Sequence, residues 1–265
     1  MSSPGTAPVR PVTLITGASA GIGTALARVF ARHGHELVLV ARREKEMAAL
    51  ADEIAATGRT RPTVLPADLT QTGAVEALAQ ALAARGLEPA IVVNNAGFGL
   101  VGTASNLDRG EQLAMIDLNV RSLTDLSLRW IDSLERHKGG ILNVASVAAF
   151  LPGPYMAVYY ASKAYVLSFS EALHRELAPR GVRVTTLCPG PVPTEFQARA
   201  GAASRSLPPL LTLSAEEVAE QGYRALQAGR RLVVPGLINK IVTVLSRLAP
   251  RGLVLAMVDR HNRRR

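Results

Sequence analysis

Apolar residues recur along this chain in two alternating patterns. Short β-branched runs at 12–16, 36–41, 63–66, 90–93, 141–145, 182–187 and 232–234 read as strands buried on both faces. Between them, apolar positions return every three or four residues at 21–33, 43–56, 73–84, 108–134 (with an interruption), 155–178 and 215–226, which predicts helices. Alternation of this kind predicts repeated βαβ units around a parallel sheet, an α/β fold. One boundary is sharply marked: Ser214 and Glu217 have the spacing of a capping box, whose side chains satisfy unpaired helix-start amides. Residues 199–213, rich in Ala, Ser, Pro and Leu, suit neither a helix nor an open linker and are expected to cover the substrate.

The chain has 265 residues, 48% hydrophobic and 19% charged, enough to bury a sizeable core in one large domain. Residues 1–11 contain three prolines and no apolar run, so they lack the hydrophobic region of a secretory signal and are expected to form a loose arm. The domain proper is placed at 12–235 and a basic extension at 236–265. One cysteine, Cys188, cannot form an internal disulfide, and the five histidines show no metal-ligand spacing. No metal is expected, and the expected compartment is cytoplasmic.

A formal charge of +9 raises the question of a nucleic-acid partner, but the charge is local. Nine Lys or Arg residues face one acid, Asp259, between 230 and 265, so the body is close to neutral. With aromatics at only 4%, nucleic acid is excluded as a partner. In 237–248, Leu237, Ile238, Ile241, Val242, Val244, Leu245 and Leu248 share one helical face, with Asn239, Lys240, Thr243, Ser246 and Arg247 on the other. Arg247, Pro250 and Arg251 interrupt any continuous membrane span. The favoured expectation is that this apolar face packs on its own domain or a partner subunit; the other reading is peripheral contact with an anionic membrane.

Two constellations carry chemistry. In Thr16-Gly17-Ala18-Ser19-Ala20-Gly21-Ile22-Gly23, between a strand and a helix, Gly17 permits a tight turn, and missing side chains let a diphosphate approach amides at the helix's positive end. The second strand ends in Ala41-Arg42-Arg43, where an acid would hold the ribose of NAD; two guanidiniums instead suit the 2′-phosphate of NADP. In the second constellation, Ser146 closes a strand, and Tyr159 and Lys163 lie one helical turn apart. Neither Tyr155 nor Tyr160 has a lysine at the fourth position after it. An ordinary phenol titrates near pH 10, so acid-base work near neutrality calls for roughly 4 kcal/mol of differential stabilisation, for which a nearby cation is a source. Ser146 can donate to an oxygen that gains negative charge. Cys188, with no His or Lys beside it in sequence, reads as a small buried apolar residue.

The spacing Thr-Gly-x-x-x-Gly-x-Gly resembles that of the short-chain dehydrogenase/reductases. The likeness extends through Asn94-Asn95-Ala96-Gly97, Asn119, the Ser146, Tyr159 and Lys163 set, and Pro189-Gly190-Pro191-Val192-Pro193-Thr194, about residues 10 to 196 in all. It implies a single-domain, Rossmann-like, doubly wound parallel sheet of about seven strands, order 3-2-1-4-5-6-7, with helices on both faces. It implies a catalytic set of Asn119, Ser146, Tyr159 and Lys163, with Asn119 supporting a water that connects the lysine to solvent. The implied cofactor site is Gly17, Ser19, Ala20, Gly21, Ile22, Gly23, Arg42, Arg43, Asp68, Leu69, Asn95, Ala96, Gly97, Tyr159, Lys163, Pro189, Gly190, Val192 and Thr194. The resemblance puts Asp68 beside the adenine and Asn95 near the adenosine ribose, though Asp68 could equally cap the next helix.

The implied activity is NADP-dependent interconversion of a ketone or aldehyde and an alcohol, with NADPH preferred over NADH. Phe98, Leu100, Ala148, Phe150, Leu151, Met156, Phe196, Leu207, Leu210, Leu211 and Leu213 are expected around the carbonyl and favour a lipophilic substrate. The family's helices commonly pair across subunits, so a homodimer or homotetramer is expected through 108–134 and 155–178, where Leu123, Leu126, Trp130 and Leu134 form an apolar stripe. The rivals are a non-catalytic NADP-binding regulator or scaffold, and a membrane-surface protein acting through its tail. A binding module has no need of an activated phenol, which counts against the first.

Overall fold

The computed structural model describes residues 9–200 and 212–263. Seven strands form one sheet: β1 (Arg10–Thr16), β2 (Leu37–Ala41), β3 (Thr63–Pro66), β4 (Leu87–Asn94), β5 (Gly140–Val144), β6 (Arg183–Leu187) and β7 (Leu232–Val233). Their order is β3-β2-β1-β4-β5-β6-β7 and all pairings are parallel, as the sequence led us to expect. The helices in chain order are α1 (Gly21–Arg32), α2 (Glu44–Ala56), α3 (Ala74–Ala83), α4 (Arg109–Ile116), α5 (Leu123–Arg129), α6 (Ile131–Arg136), α7 (Ala157–Leu177), α8 (Glu195–Arg199), α9 (Ala215–Gln227), α10 (Leu237–Leu248) and α11 (Arg251–Asn262).

Successive strand residues point to opposite faces. Leu14, Val38, Val92 and Ile141 meet residues of α3, α5, α6 and α7, while Ile15, Leu39, Val93 and Leu142 meet α1, α2 and α9. Both faces are covered, which is why the strands read as unbroken apolar runs. Because β1 pairs with β2 on one side and β4 on the other, the connections diverge there and leave a crevice at the strand ends.

The boundaries shift where local chemistry decides. β1 starts at Arg10, which pairs with Glu36 at 2.6 Å, so Arg10 and Pro11 leave the expected arm; residues 1–8 lie outside the described residues. β4 begins earlier than its apolar run, and its register with β1 slips between Val12 and Thr13, opposite Pro89, which has no N–H to give the ladder. The capping box forms: the Glu217 amide donates to Ser214 Oγ (3.1 Å) and the Ser214 amide to Glu217 Oε2 (2.9 Å). Of the covering loop expected over 199–213, residues 201–211 lie outside the described residues.

The interrupted helix at 108–134 resolves into α4, a π-helical stretch at Asp117–Ser122, α5 and α6. Its stripe packs within this chain. Leu123, Leu126 and Leu134 are buried in this chain's own cores, with Trp130 packed against them. In the tail, the apolar face of α10 points away from this chain's own body, so it does not pack on its own domain. Among the described residues, no helix is long and apolar enough to cross a membrane.

Candidate active site

Thr16 gathers the strand ends. Its Oγ1 donates to the Val93 carbonyl (3.2 Å) and accepts from the amides of Asn95 (3.0 Å) and Ala96 (3.1 Å). Asn95 Nδ2 in turn donates to the carbonyls of Thr16 (2.9 Å) and Gly17 (3.2 Å), locking the two loops together. Gly17 has a φ of +66°, and a Cβ there would stand 2.8 Å from Asn95 Nδ2; one on Gly23 would stand 2.1 Å from the Gly17 oxygen. The packing of α1 on this loop thus requires glycine at position 23.

A cleft of about 690 Å³ opens at this point. α1 begins at its wall, after Ala20, and no side chain caps the helix. The leading amides therefore suit an anionic group, and Ser19, Ala20, Gly21 and Ile22 around them fit a dinucleotide's diphosphate. Beyond β2, Arg42 is exposed. Arg43 is engaged: its Nη2 and Nε donate to the Ser19 carbonyl (3.1 Å) and Oγ (3.3 Å), and its Nη1 lies 3.0 Å from Glu195 and 3.6 Å from Glu46.

Asp68 and Leu69 do not line this cleft. The Asp68 carboxylate accepts from the Thr70 amide (3.1 Å) and hydroxyl (2.8 Å), closing a turn, whereas α3 has Gly73 at its N-cap and no side-chain cap, so Asp68 does not cap that helix. Burial pushes its pKa up, but those hydrogen bonds and the Arg42 charge outweigh it and hold the carboxyl below its ordinary value. The Leu69 carbonyl accepts from Ser122 Oγ, which ties the turn to the end of the π-helical stretch.

Ser146, Tyr159 and Lys163 line the other end of the same cleft, together with Pro189, Gly190, Val192 and Thr194. Ser146 follows β5 and caps the short 3-10 turn Val147–Phe150, its Oγ accepting from the Ala148 amide (3.1 Å). That leaves the hydroxyl proton available to donate. Lys163 Nζ lies 5.9 Å from the centre of the Tyr159 ring and donates to the Val144 carbonyl at 2.8 Å. Burial lowers the Lys163 pKa to about 8, with an opposing pull from Cys188. The ammonium is still the majority form at neutrality. The fold thus puts beside Cys188, itself buried, the cation that its sequence neighbours lack.

Asn119 sits in the π-helical stretch, fully buried and outside the cleft lining. Its Oδ1 accepts from the Phe98 amide (3.2 Å), while Nδ2 donates to the Phe98 carbonyl (3.0 Å) and Ser162 Oγ (3.1 Å). Ser162 Oγ donates to the Tyr159 carbonyl (2.7 Å), so the carboxamide latches the loop after β4 to the first turn of α7. A Cβ on Gly97, wedged between them, would lie 3.0 Å from Asn119 Oδ1 and 3.4 Å from Lys163 Nζ.

Of the apolar residues expected around a carbonyl, Phe98, Ala148 and Met156 cluster with Tyr159, and Leu100 and Phe196 pack against them; Leu151 lines the cleft. Phe150 and Leu213 pack in other cores, and Leu207, Leu210 and Leu211 lie outside the described residues. Sequence reasoning missed Thr16, Tyr160, Glu195 and Arg199. Thr16 opens the glycine array and Tyr160 adjoins Tyr159, so position offered a signal for both. Glu195 reaches Arg43, and the Arg199 guanidinium stacks 4.7 Å over the Phe98 ring, contacts that follow from tertiary packing of α8.

Residues 11–205 match the short chain dehydrogenase family, and the chain belongs to it. Sulfoacetaldehyde reductase 2 of Chromohalobacter salexigens is 37% identical over 220 residues, spanning 79% of this chain and 85% of the relative. A short-chain dehydrogenase from Sphingobium yanoikuyae, solved in complex with NADPH, superposes with a TM-score of 0.78 at 33% identity, over 86% of this chain and 88% of that one. A short-chain dehydrogenase/reductase from Burkholderia phymatum, solved in complex with NAD, gives 0.76 at 27% identity, over 89% and 92%. This chain is accordingly an oxidoreductase with a nucleotide-binding Rossmann fold, acting between carbonyl and alcohol.

Proposed function

We propose that the chain is an NADP-dependent reductase of lipophilic ketones or aldehydes, or the reverse dehydrogenase, with Tyr159 as the acid/base. The observation that carries this reading is one cleft with an uncapped helix start and two arginines at one end and Ser146, Tyr159 and Lys163 at the other. A bound nicotinamide supplies or takes the hydride. Ser146 donates to the substrate oxygen as negative charge gathers there. Tyr159 gives that oxygen its proton in reduction and recovers it in oxidation, and the buried Lys163 ammonium favours the phenolate left behind. Asn119 acts as a positioning residue through Phe98 and Ser162. We place the enzyme in the cytoplasm, where a reduced lone cysteine is ordinary.

The apolar cluster around Tyr159 supports a lipophilic substrate. Arg199, above Phe98, favours a second reading, a small anionic aldehyde like the one in the name of the Chromohalobacter relative. A carbonyl panel followed by NADPH absorbance decides between them. Higher kcat/KM on aliphatic or polycyclic ketones supports the first, while turnover confined to sulfoacetaldehyde overturns it.

For the cofactor, the expected result is that Arg42→Ala/Arg43→Ala weakens NADPH by about tenfold to a hundredfold, the effect of losing one charge-assisted contact, and barely alters NADH. A 2′-phosphate at Arg43 competes with Glu195 for the same guanidinium. Calorimetry showing equal losses for both cofactors, or tighter NADH binding by the unmodified protein, rejects the preference.

The buried stripe in α5 and α6 removes one argument for oligomers, but the outer surface supplies another. Leu113, Ile116 and Leu128 on α4 and α5, with Tyr165 on α7, are exposed. Tyr165 stacks on Phe169 and hydrogen-bonds Thr124 at 2.9 Å, which joins α5 to α7 in one face. We expect sedimentation at micromolar concentration to show dimers or tetramers, and Leu128→Glu to shift them toward monomer. A monomeric unmodified protein refutes this.

A further inference from the structure

α10 is amphipathic and turned inside out. Asn239 and Thr243 of its polar stripe meet the body: the Asn239 carboxamide leaves no room for a Cβ on Gly190, and Thr243 is only 5% exposed. Its apolar stripe faces solvent, with Leu237 73% and Leu248 78% exposed and Ile241, Val244 and Leu245 between them. α11 likewise buries Val254, Val258 and Asn262 while exposing Leu253 and Met257. Asn262 Nδ2 donates to the Pro154 carbonyl (2.8 Å) and Asn239 packs on Gly190, so each tail helix is anchored on a loop of the body. An exposed apolar face running the length of a docked helix, as along α10, marks an interaction surface.

Charge selects the occupant. The segment from 230 to 265 holds nine Lys or Arg residues against one acid. That acid, Asp259, is paired with Arg263 at 2.9 Å, while Lys240, Arg251 and Arg260 are exposed. Two copies meeting face to face would bring like charges together, whereas an anionic bilayer offers opposite charge and an apolar interior. We propose that α10 and α11 seat the protein on an anionic lipid surface, the apolar stripe at the boundary between headgroups and acyl chains, with no span. Gly190 lines the cleft and touches Asn239, so the active site lies next to the bilayer, where lipophilic carbonyls partition.

The test is flotation of the full chain with vesicles of phosphatidylcholine alone or mixed with phosphatidylglycerol. Binding to the mixed vesicles is expected to be at least about tenfold greater at low salt and to fall at high salt. Leu237→Ser/Ile241→Ser/Leu245→Ser should lose about tenfold or more of that binding with its melting temperature unchanged, since these side chains are exposed. Lys240→Glu/Arg251→Glu should abolish the preference for anionic vesicles. A full chain that stays with the soluble fraction on anionic vesicles overturns the proposal, as does a triple-serine variant that binds undiminished. If that variant instead dissociates a complex of two copies while vesicles never bind, the occupant is the second copy and the lipid surface is rejected. None of these readouts depends on the enzyme's substrate or cofactor.

Discussion

Tyr159→Phe should reduce carbonyl turnover by roughly a hundredfold to ten-thousandfold, the range over which a positioned acid contributes. The ring has neighbours that phenylalanine keeps: Phe196 at 5.5 Å, Tyr160 at 6.1 Å, and the cluster of Phe98, Ala148 and Met156. Packing, fold and cofactor binding therefore persist, and only the hydroxyl is lost. Because that hydroxyl contributes only as the proton moves, kcat and kcat/KM should fall together. Steady-state kinetics on a substrate found by the carbonyl panel, with calorimetry for NADPH, checks both halves. A rise confined to KM would make Tyr159 a positioning residue, and undiminished kcat would remove it from the chemistry.

How much of this was legible before the fold depends on whether a residue's role is local. The sheet was readable because Leu14 and Ile15, and their counterparts in β2, β4 and β5, face opposite buried layers and so leave unbroken apolar runs. Ser146, Tyr159 and Lys163 were readable because a strand end and one helical turn fix their spacing, and the cleft brings them together. Gly23 and Asp68 carry contacts that the sequence did not show: a Cβ on Gly23 would meet the Gly17 oxygen, and the Asp68 carboxylate accepts from Thr70. Periodicity also gives the existence of an apolar face but not its direction. The α5 stripe turns inward and the α10 stripe outward, and contacts distant in sequence, Asn239 on Gly190 and Asn262 on Pro154, anchor the tail. The Arg43–Glu195 pair was invisible for the same reason, since it joins the end of β2 to the start of α8.

Lys163→Met should make the protein more stable while making it a poor catalyst. The ammonium is buried and donates to one carbonyl, Val144, at 2.8 Å; burial lowers its pKa from 10.5 to about 8, with Cys188 pulling the other way. Protonated lysine is thus disfavoured in the folded state by on the order of 3 kcal/mol, fully below pH 8 and progressively less as pH rises toward 10.5, because the unfolded chain then still binds the proton that the folded one has shed. Methionine fills similar volume without that cost but forfeits a hydrogen bond of about 1 kcal/mol. The net gain of about 2 kcal/mol should raise Tm by roughly 4–8 °C at neutral pH in the absence of cofactor. The unmodified protein should gain stability between pH 8 and 10.5 relative to the variant, so the two melting curves converge there. Turnover should fall by roughly a hundredfold or more, since no cation remains to favour the Tyr159 phenolate. A variant that melts lower at neutrality, or a Tm difference that does not shrink over that pH window, would show that the buried ammonium is not a strained group and that its cost has been assigned wrongly.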